Sequence, residues 1–166
     1  KKIKVFKDWK KLLEVKEIDI VIIATPHNQL SKIIIQACKM KKHILVEKPG
    51  SKNLKEMIKI ISKVKNSKIK VRVGFNHRYH PSIIKAVKII KSGIIGKPMY
   101  LRARYGHGGR PSYEKEWRSK PSISGGGELI DQGSHLIDLS RLFLGEFSEV
   151  NGFINTYFWK MPVEDN

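Results

Sequence analysis

The stretch His43-Ile44-Leu45-Val46-Glu47-Lys48-Pro49 decides the fold, because an apolar run of strand length ends there in a charged pair and a proline. A buried strand of this kind delivers Glu47 and Lys48 to the edge of a sheet. The carboxyl edge of an open α/β sheet is where ligands bind. A partly desolvated lysine beside a carboxylate can be tuned there as a proton donor or acceptor. A solvated turn is the alternative interpretation of the same tripeptide.

Apolar runs and helical spacings alternate around this stretch. Residues 19–25 form a continuous apolar run, which is typical of a parallel strand covered on both faces. Residues 30–38 follow helical spacing behind Asn28, which we expect to cap that helix, and residues 69–75 resemble another strand. The resulting β-α-β-α-β order predicts a parallel sheet with right-handed crossovers. Between the last two strands, Asn53 is expected to cap a helix with one apolar face made of Leu54, Met57, Ile58 and Ile61.

The two flanks of this region follow other patterns. Residues 4–6 resemble a strand, and Asp8 is expected to cap a helix over residues 8–16. We place a domain boundary between residues 78 and 79, which divides the chain into domains 1–78 and 79–166. The second domain is predicted to contain helices over residues 81–92 and 131–144, strands over 99–105 and 149–159, and a binding loop or lid over 106–127.

Lysine dominates the composition, because 33 Lys and Arg residues against 15 Asp and Glu residues give a net charge of +18. Such a charge raises a nucleic-acid-binding module as an alternative. The lysines are spread along helix faces rather than clustered, so we expect no nucleic-acid partner. No apolar run has the length of a membrane span, so no membrane partner is expected either. The single Cys38 excludes an internal disulfide and predicts a reducing, cytoplasmic location.

Asp131 and His135 are four residues apart, so on a helix they share one face. They follow Gly125-Gly126-Gly127, whose glycines let the backbone come close to a ligand or to another element. An imidazole beside a carboxylate is a tunable acid/base group near neutral pH. A surface Asp–His pair, or a core histidine satisfied by its neighbour, is the alternative interpretation.

These pieces occur in a fixed order: Thr25-Pro26, Glu47-Lys48-Pro49, Gly74-Phe75-Asn76-His77-Arg78, Trp117-Arg118, and the Gly-Gly-Gly-x-Leu-x-Asp-x-Gly-x-His segment at 125–135. The order resembles the glucose–fructose oxidoreductase/inositol dehydrogenase family (Gfo/Idh/MocA). The resemblance implies an α/β fold, with part of a Rossmann dinucleotide-binding domain followed by part of an α+β domain with an open, mainly antiparallel sheet. It implies hydride transfer between NAD or NADP and a hydroxyl-bearing carbon of a sugar, cyclitol or nucleotide-sugar. It also implies a cytoplasmic homo-oligomer, a dimer or tetramer at full length.

The resemblance also assigns residues to roles. Lys48, His135 and Asp131 match the catalytic positions of the family, although the sequence leaves open whether Lys48 or His135 is the base. The positions expected at the cofactor are Ala24, Thr25, Pro26, Asn28, Glu47, Lys48, Asn76, Trp117 and Arg118. Those expected at the substrate are Lys48, Arg78, Tyr113, Asp131 and His135. No metal is expected.

The chain departs from the family pattern in one respect. The family begins with a strand, Gly-x-Gly-x-x-Gly and a helix, and none of these is present here. We therefore expect an internal fragment that lacks both ends of a dehydrogenase; a truncated or inactive relative that binds or regulates is the alternative. Two further alternatives are a metal site at His77 and His80, and a loop site for an anionic or polyhydroxylated substrate at His107, Arg110 and Tyr113.

Overall fold

The computed structural model describes residues 3–65, 67–106 and 108–166, so His107 of the predicted loop site lies outside the described residues. The chain divides into two compact units, Lys1–Gly74 and Phe75–Asn166, called the first and second unit below. The first unit contains helices α1 to α3 and strands β1 to β3. Along the chain these are α1 (Trp9–Leu13), β1 (Ile20–Ile23), α2 (His27–Lys39), β2 (His43–Glu47), α3 (Leu54–Val64) and β3 (Val71–Gly74).

The three strands form one parallel sheet in the order β1-β2-β3. Ile23 lies opposite Val46, and Glu47 lies opposite Gly74. The predicted parallel sheet is therefore confirmed, and β2 has the predicted bounds. Helix α2 packs against β1 and β2, and its apolar face is buried as its spacing predicts. The core of the unit consists of Leu13, Val21, Ile23, Leu30, Ile33, Ile34, Ala37, Ile44, Val46 and Ile60.

Two of the three predicted helix caps are confirmed. The Asp8 carboxylate accepts a hydrogen bond from the Lys10 backbone N–H at 2.9 Å, and the Asn53 side chain accepts one from the Glu56 N–H at 3.0 Å. The cap predicted at Asn28 is wrong, because α2 begins one residue earlier, at His27, behind Pro26. A side-chain cap must lie outside the first helical residue, and Asn28 already lies inside the helix.

The burial expected for the sheet and for α3 is partly wrong. Ile20 and Ile22 on β1 are exposed while Val21 and Ile23 are buried, so the described part of the chain covers one face of this strand. On α3 the apolar face that the sequence predicts is the exposed one, since Ile58 is 57% exposed and Ile60 only 4%. Residues 4–6 do not form the predicted strand, because they make no ladder with any described strand.

The second unit begins with a 3₁₀ turn (Asn76–Tyr79) and α4 (Pro81–Lys91), which confirms the helix predicted over residues 81–92. Three short helical segments follow within 106–127, so that loop is less irregular than predicted. They are the 3₁₀ turns Tyr113–Lys115 and Trp117–Ser119 and helix α5 (Pro121–Ser124). A π-helical turn (Leu129–Gly133) then leads directly into α6 (Ser134–Leu144).

The strands predicted over residues 99–105 and 149–159 are not formed. A strand is defined by its ladder of hydrogen bonds to a neighbour, and the described residues of these two segments pair with no strand. Their alternating pattern therefore indicates extended chain here rather than a sheet. The mixed α/β class is nevertheless confirmed by the parallel sheet of the first unit.

Candidate active site

The carboxyl edge of the sheet in the first unit carries the residues that the sequence assigns to the cofactor. Thr25 and Lys48 each lie two residues beyond the paired positions Ile23 and Val46, so they follow neighbouring strands at the same edge. Ala24 directly follows β1, and Glu47 is the exposed last residue of β2. Lys48 is half-buried at this edge.

The side chain of Thr25 tests whether this edge fits a polar ligand. Its Oγ1 atom is buried and has no hydrogen-bond partner among the described residues. Buried hydroxyls are normally paired, so an unpaired one indicates a missing partner. Pro26 is exposed and Asn28 is half-buried at the beginning of α2, directly behind this hydroxyl. The edge therefore fits the hydroxyl or phosphate groups of a dinucleotide.

The second unit brings Asp131 and His135 into its interior, and each is only 5% exposed. Asp131 lies on the π-helical turn and His135 on the first turn of α6, so the predicted continuous helix is widened between them. Asp138, which is 7% exposed, lies one turn further along α6. Its spacing of three residues from His135 is a sequence signal that identifies a third buried polar residue on the same face, and our sequence analysis missed it.

Gly127 sets the entry to the π-helical turn. Its N–H donates to Glu164 Oε1 at 2.9 Å, and the Leu129 N–H donates to the same atom at 3.1 Å. A Cβ atom on Gly127 would lie 1.9 Å from the Glu164 carbonyl oxygen, so only glycine fits this close approach. The predicted need for glycine before the Asp131 segment is explained by this contact between two backbone segments.

The His135 ring lies within a cluster of rings. The His77 ring stacks on it with centroids 3.9 Å apart and an interplanar angle of 11°. Phe75 and Tyr105 approach the His135 ring edge-on, at 6.1 Å and 6.4 Å between centroids. The orientation of this imidazole is therefore fixed by its neighbours. No sequence signal links His77 to His135, which is 58 residues away.

The Asp131 carboxylate is held by Arg118. Arg118 Nε donates to Asp131 Oδ2 at 3.1 Å, and the Arg118 guanidinium lies 4.6 Å from the centre of the Trp117 ring. Arg118 NH1 also donates to Glu116 Oε2 at 3.4 Å. Glu116 in turn accepts two hydrogen bonds from Arg110, at 2.5 Å from Nε and 2.6 Å from NH2. Sequence analysis did not identify Glu116, which has no motif of its own.

Arg78 and Tyr113, both predicted at the substrate, have protein partners. Arg78 donates to Asp138 from Nε at 2.7 Å and from NH2 at 2.5 Å, and this bidentate bond raises its pKa. The Tyr113 hydroxyl donates to Glu128 Oε1 at 2.6 Å. Burial, and then the hydrogen bond to Glu128, raise the pKa of Tyr113, so its phenol stays protonated at neutral pH. Asn76 is exposed in the 3₁₀ turn at the beginning of the second unit.

The alternative metal site at His77 and His80 finds no support. The His77 ring stacks on His135, while His80 caps α4 by accepting a bond from the Ser82 N–H. Within the described ranges, no group of three or more His, Cys, Asp or Glu residues is arranged to hold a metal ion. None of the helices formed by these residues has the length and apolar character that a bilayer span requires.

A parallel sheet with a polar carboxyl edge is typical of the Rossmann-type dinucleotide-binding class. Residues 1–75 match the model of the oxidoreductase family with an NAD-binding Rossmann fold, and residues 83–166 match the GFO/IDH/MocA C-terminal domain. The chain belongs to the Gfo/Idh/MocA family, as its motifs indicate.

Named relatives agree with this assignment. The chain is 35% identical to levoglucosan dehydrogenase from Pseudarthrobacter phenanthrenivorans over 159 residues, which are 95% of this chain and 41% of the relative. It is 31% identical to myo-inositol 2-dehydrogenase from Thermotoga maritima, over 86% of this chain and 41% of the relative. It is 37% identical to scyllo-inositol 2-dehydrogenase (NAD(+)) from Bacillus subtilis, over 85% of this chain and 40% of the relative.

Solved structures show the same likeness. A levoglucosan dehydrogenase in complex with NADH and levoglucosan superimposes with a TM-score of 0.85 at 34% identity, covering 95% of this chain and 43% of the other. The NADH complex of levoglucosan dehydrogenase gives a TM-score of 0.87 at 32% identity, over 96% of this chain and 46% of the other. The chain thus spans less than half the length of these relatives.

Proposed function

We propose that the complete protein containing this chain is an NAD(P)-dependent dehydrogenase. It oxidises a hydroxyl-bearing carbon of a sugar, a cyclitol or a nucleotide-sugar. The observation that carries the proposal is the sheet edge, where the buried, unpaired Thr25 hydroxyl and the half-buried Lys48 follow neighbouring strands. Relatives named levoglucosan and inositol dehydrogenases support the substrate class. The NADH in solved levoglucosan dehydrogenase complexes favours NAD over NADP.

The proposed cofactor and substrate positions are divided mainly between the two predicted domains. Residues 1–78 contribute most of the cofactor positions, and residues 79–166 contribute most of the substrate positions and the surface for oligomerisation. The side chains proposed to hold the dinucleotide are Ala24, Thr25, Pro26, Asn28, Glu47, Lys48, Asn76, Trp117 and Arg118. Those proposed to contact the substrate are Lys48, Arg78, Tyr113, Asp131 and His135. In this scheme Arg78 and Tyr113 share their polar groups between protein partners and substrate.

Oxidation of an alcohol requires a group of the protein to accept the hydroxyl proton. When bound, the nicotinamide supplies an acceptor for the hydride that leaves the carbinol carbon. The hydroxyl proton must go to a base, and Lys48 and His135 are the two candidates. A cationic Lys48 would instead stabilise the developing alkoxide, leaving His135 to take the proton. The Asp131 carboxylate is proposed to accept hydrogen bonds from substrate hydroxyls and thereby orient the sugar ring.

The first test is an activity panel on the complete protein. NAD⁺ and NADP⁺ are each combined with levoglucosan, myo-inositol and scyllo-inositol, and the absorbance of the reduced nicotinamide is followed. Turnover of any of the three supports the proposal. NADH binding without turnover on the panel would favour the alternative of a catalytically inactive binding or regulatory protein. Absence of any dinucleotide binding would remove the dehydrogenase proposal altogether.

Lys48→Ala tests the residue at the centre of the proposal. We expect kcat to fall by about 10² to 10⁴-fold, since a positioned acid/base group contributes that much, while NADH affinity falls by a much smaller factor, because the other proposed cofactor positions remain. Lys55→Ala, which removes an exposed lysine from α3, is the matched control and should leave turnover unchanged. A Lys48→Ala variant with near-normal turnover would exclude Lys48 from the mechanism.

The proposal extends to the assembly and the location of the protein. Exposed aromatic side chains in the second unit, among them Phe153 and Tyr157, offer a surface for pairing with a second copy as a dimer or tetramer. Size-exclusion chromatography with light scattering on the complete protein checks this, and a monomer would contradict it. The Cys38 thiol, whose pKa is raised by burial, suits a reducing cytoplasm. Detection in an extracellular fraction would contradict that location.

A further inference from the structure

Asp131 presents an electrostatic problem that the fold has to solve. Its side chain is only 7% exposed, and a buried carboxylate is strongly unfavourable unless a cation or several donors pair with it. The cation is Arg118, whose Nε lies 3.1 Å from Oδ2. This charge-assisted hydrogen bond offsets part of the cost of burying the carboxylate and holds one of its two oxygens against Arg118.

Arg118 is itself held in place. Its guanidinium lies over the Trp117 ring at 4.6 Å, and its NH1 donates to the Glu116 carboxylate at 3.4 Å. Arg110 forms a bidentate pair with the same Glu116 carboxylate. This pair fixes the geometry of the Arg110 and Glu116 side chains. Four side chains therefore form an alternating row of charges that runs from the exposed Arg110 to the buried Asp131.

We propose that Arg118 is a positioning residue, which orients the Asp131 carboxylate for the substrate and is itself aligned by the Glu116–Arg110 pair. The proposal rests on the proposed function, since Asp131 is the substrate-holding group there. It adds a role to the cofactor contact that the family resemblance gives Arg118. The two roles differ in what they affect: positioning of Asp131 acts on the sugar, and a nicotinamide contact acts on the dinucleotide.

The experiment compares Arg118→Gln, Arg118→Lys and Asp131→Asn in the complete protein. For positioning, Arg118→Gln should raise KM for levoglucosan or inositol by about tenfold, the equivalent of one charged hydrogen bond. The NADH dissociation constant, measured by fluorescence titration, should rise by a smaller factor than the sugar KM. Arg118→Lys should raise KM less than Arg118→Gln does, because lysine keeps the positive charge but lacks the planar guanidinium with its several donors. The double variant Arg118→Gln/Asp131→Asn should be no worse than the poorer single variant, because both act through one carboxylate.

Two controls keep the outcome interpretable. Arg141→Gln removes an arginine that pairs with the exposed Glu146 in the same unit, and it should leave both KM and NADH affinity unchanged. Glu116→Gln weakens the alignment of Arg118 without removing its charge, and it should give a smaller rise in KM than Arg118→Gln. Loss of NADH affinity with an unchanged sugar KM would overturn the positioning role in favour of the cofactor contact.

A second measurement is independent of turnover. The shift in unfolding midpoint is determined for Arg118→Gln, Asp131→Asn and the double variant. Coupled residues should give a double-variant shift well short of the sum of the single shifts. Additive shifts would overturn the pairing even in a protein that turns over none of the probe sugars. Coupled shifts in a protein that binds NADH but turns over none of the probe sugars would retain the Arg118–Asp131 pair and favour the catalytically inactive relative.

Discussion

The two units bury apolar and polar side chains in different proportions. The core of the first unit is a continuous apolar cluster built on three strands and helix α2. Among the described residues of the second unit, two hydrophobic ones are buried, Tyr113 and Val163, beside five polar ones: Ser119, Ser124, Asp131, His135 and Asp138. The first unit therefore holds its site at the end of an apolar scaffold, whereas the second unit builds its site from the groups that it buries.

This difference separates two ways of positioning a functional group. In the first unit, the strand register alone places Thr25 and Lys48 at one edge, and their side chains play little part in the core. In the second unit, directional ion pairs and ring contacts fix Asp131 and His135. Substitutions in the first unit should thus affect stability through packing, and substitutions in the second unit should affect stability and the site together.

The largest effect on stability is expected at the edge of the apolar core. Ile60→Ala should lower the free energy of unfolding by about 2 to 5 kcal/mol, because it removes buried methylenes and leaves a cavity. Ile58→Ala, on the same helix but 57% exposed, should lower it by less than about 1 kcal/mol. Urea denaturation of the complete protein measures both. A large loss of stability in Ile58→Ala would show that the α3 face predicted from sequence is the buried one.

An intermediate effect is expected at the polar interior of the second unit. Asp138→Ala removes both bonds from Arg78, and the loss should be about 2 to 3 kcal/mol, below the value for fully buried pairs because Arg78 is 37% exposed. Glu146→Ala breaks the exposed pair with Arg141 and should leave stability nearly unchanged, since solvent screens such pairs. Equal losses at the two sites would show that burial of the Asp138 pair contributes nothing.

The sequence predicts the first unit well because its signals are local. An apolar run followed by a charged pair defines β2 to the residue, and alternation of strands with helices implies a parallel sheet. The errors arise where the outcome depends on distant neighbours. The side of α3 that is buried depends on what packs against it, and a strand such as the one predicted over 149–159 requires a partner that no local pattern reveals.

The candidate site shows the same limit. Asp131 and His135 were identified by their spacing and by the family motif, and the structure buries both. Two contacts near them were missed because they join distant parts of the chain: Arg78 pairs with Asp138, 60 residues away, and His77 stacks on His135, 58 residues away. Of the residues that the sequence analysis missed, only Asp138 was recognisable from the sequence, as a polar residue at helical spacing from His135. Residue types can thus indicate which groups do chemistry, but the contacts that orient them require coordinates.

The smallest effect tests the local signals themselves, at two asparagines that the sequence treats alike. Asn53→Ala should destabilise the protein by about 1 kcal/mol, because the Glu56 N–H loses its side-chain acceptor at the beginning of α3. Asn28→Ala, measured without cofactor, should stay within about 0.5 kcal/mol, since Asn28 lies inside α2 and caps nothing. Thermal unfolding of the two variants measures the difference. A larger loss at Asn28 than at Asn53 would contradict the observed beginning of α2 and show that the cap predicted from sequence is formed in solution.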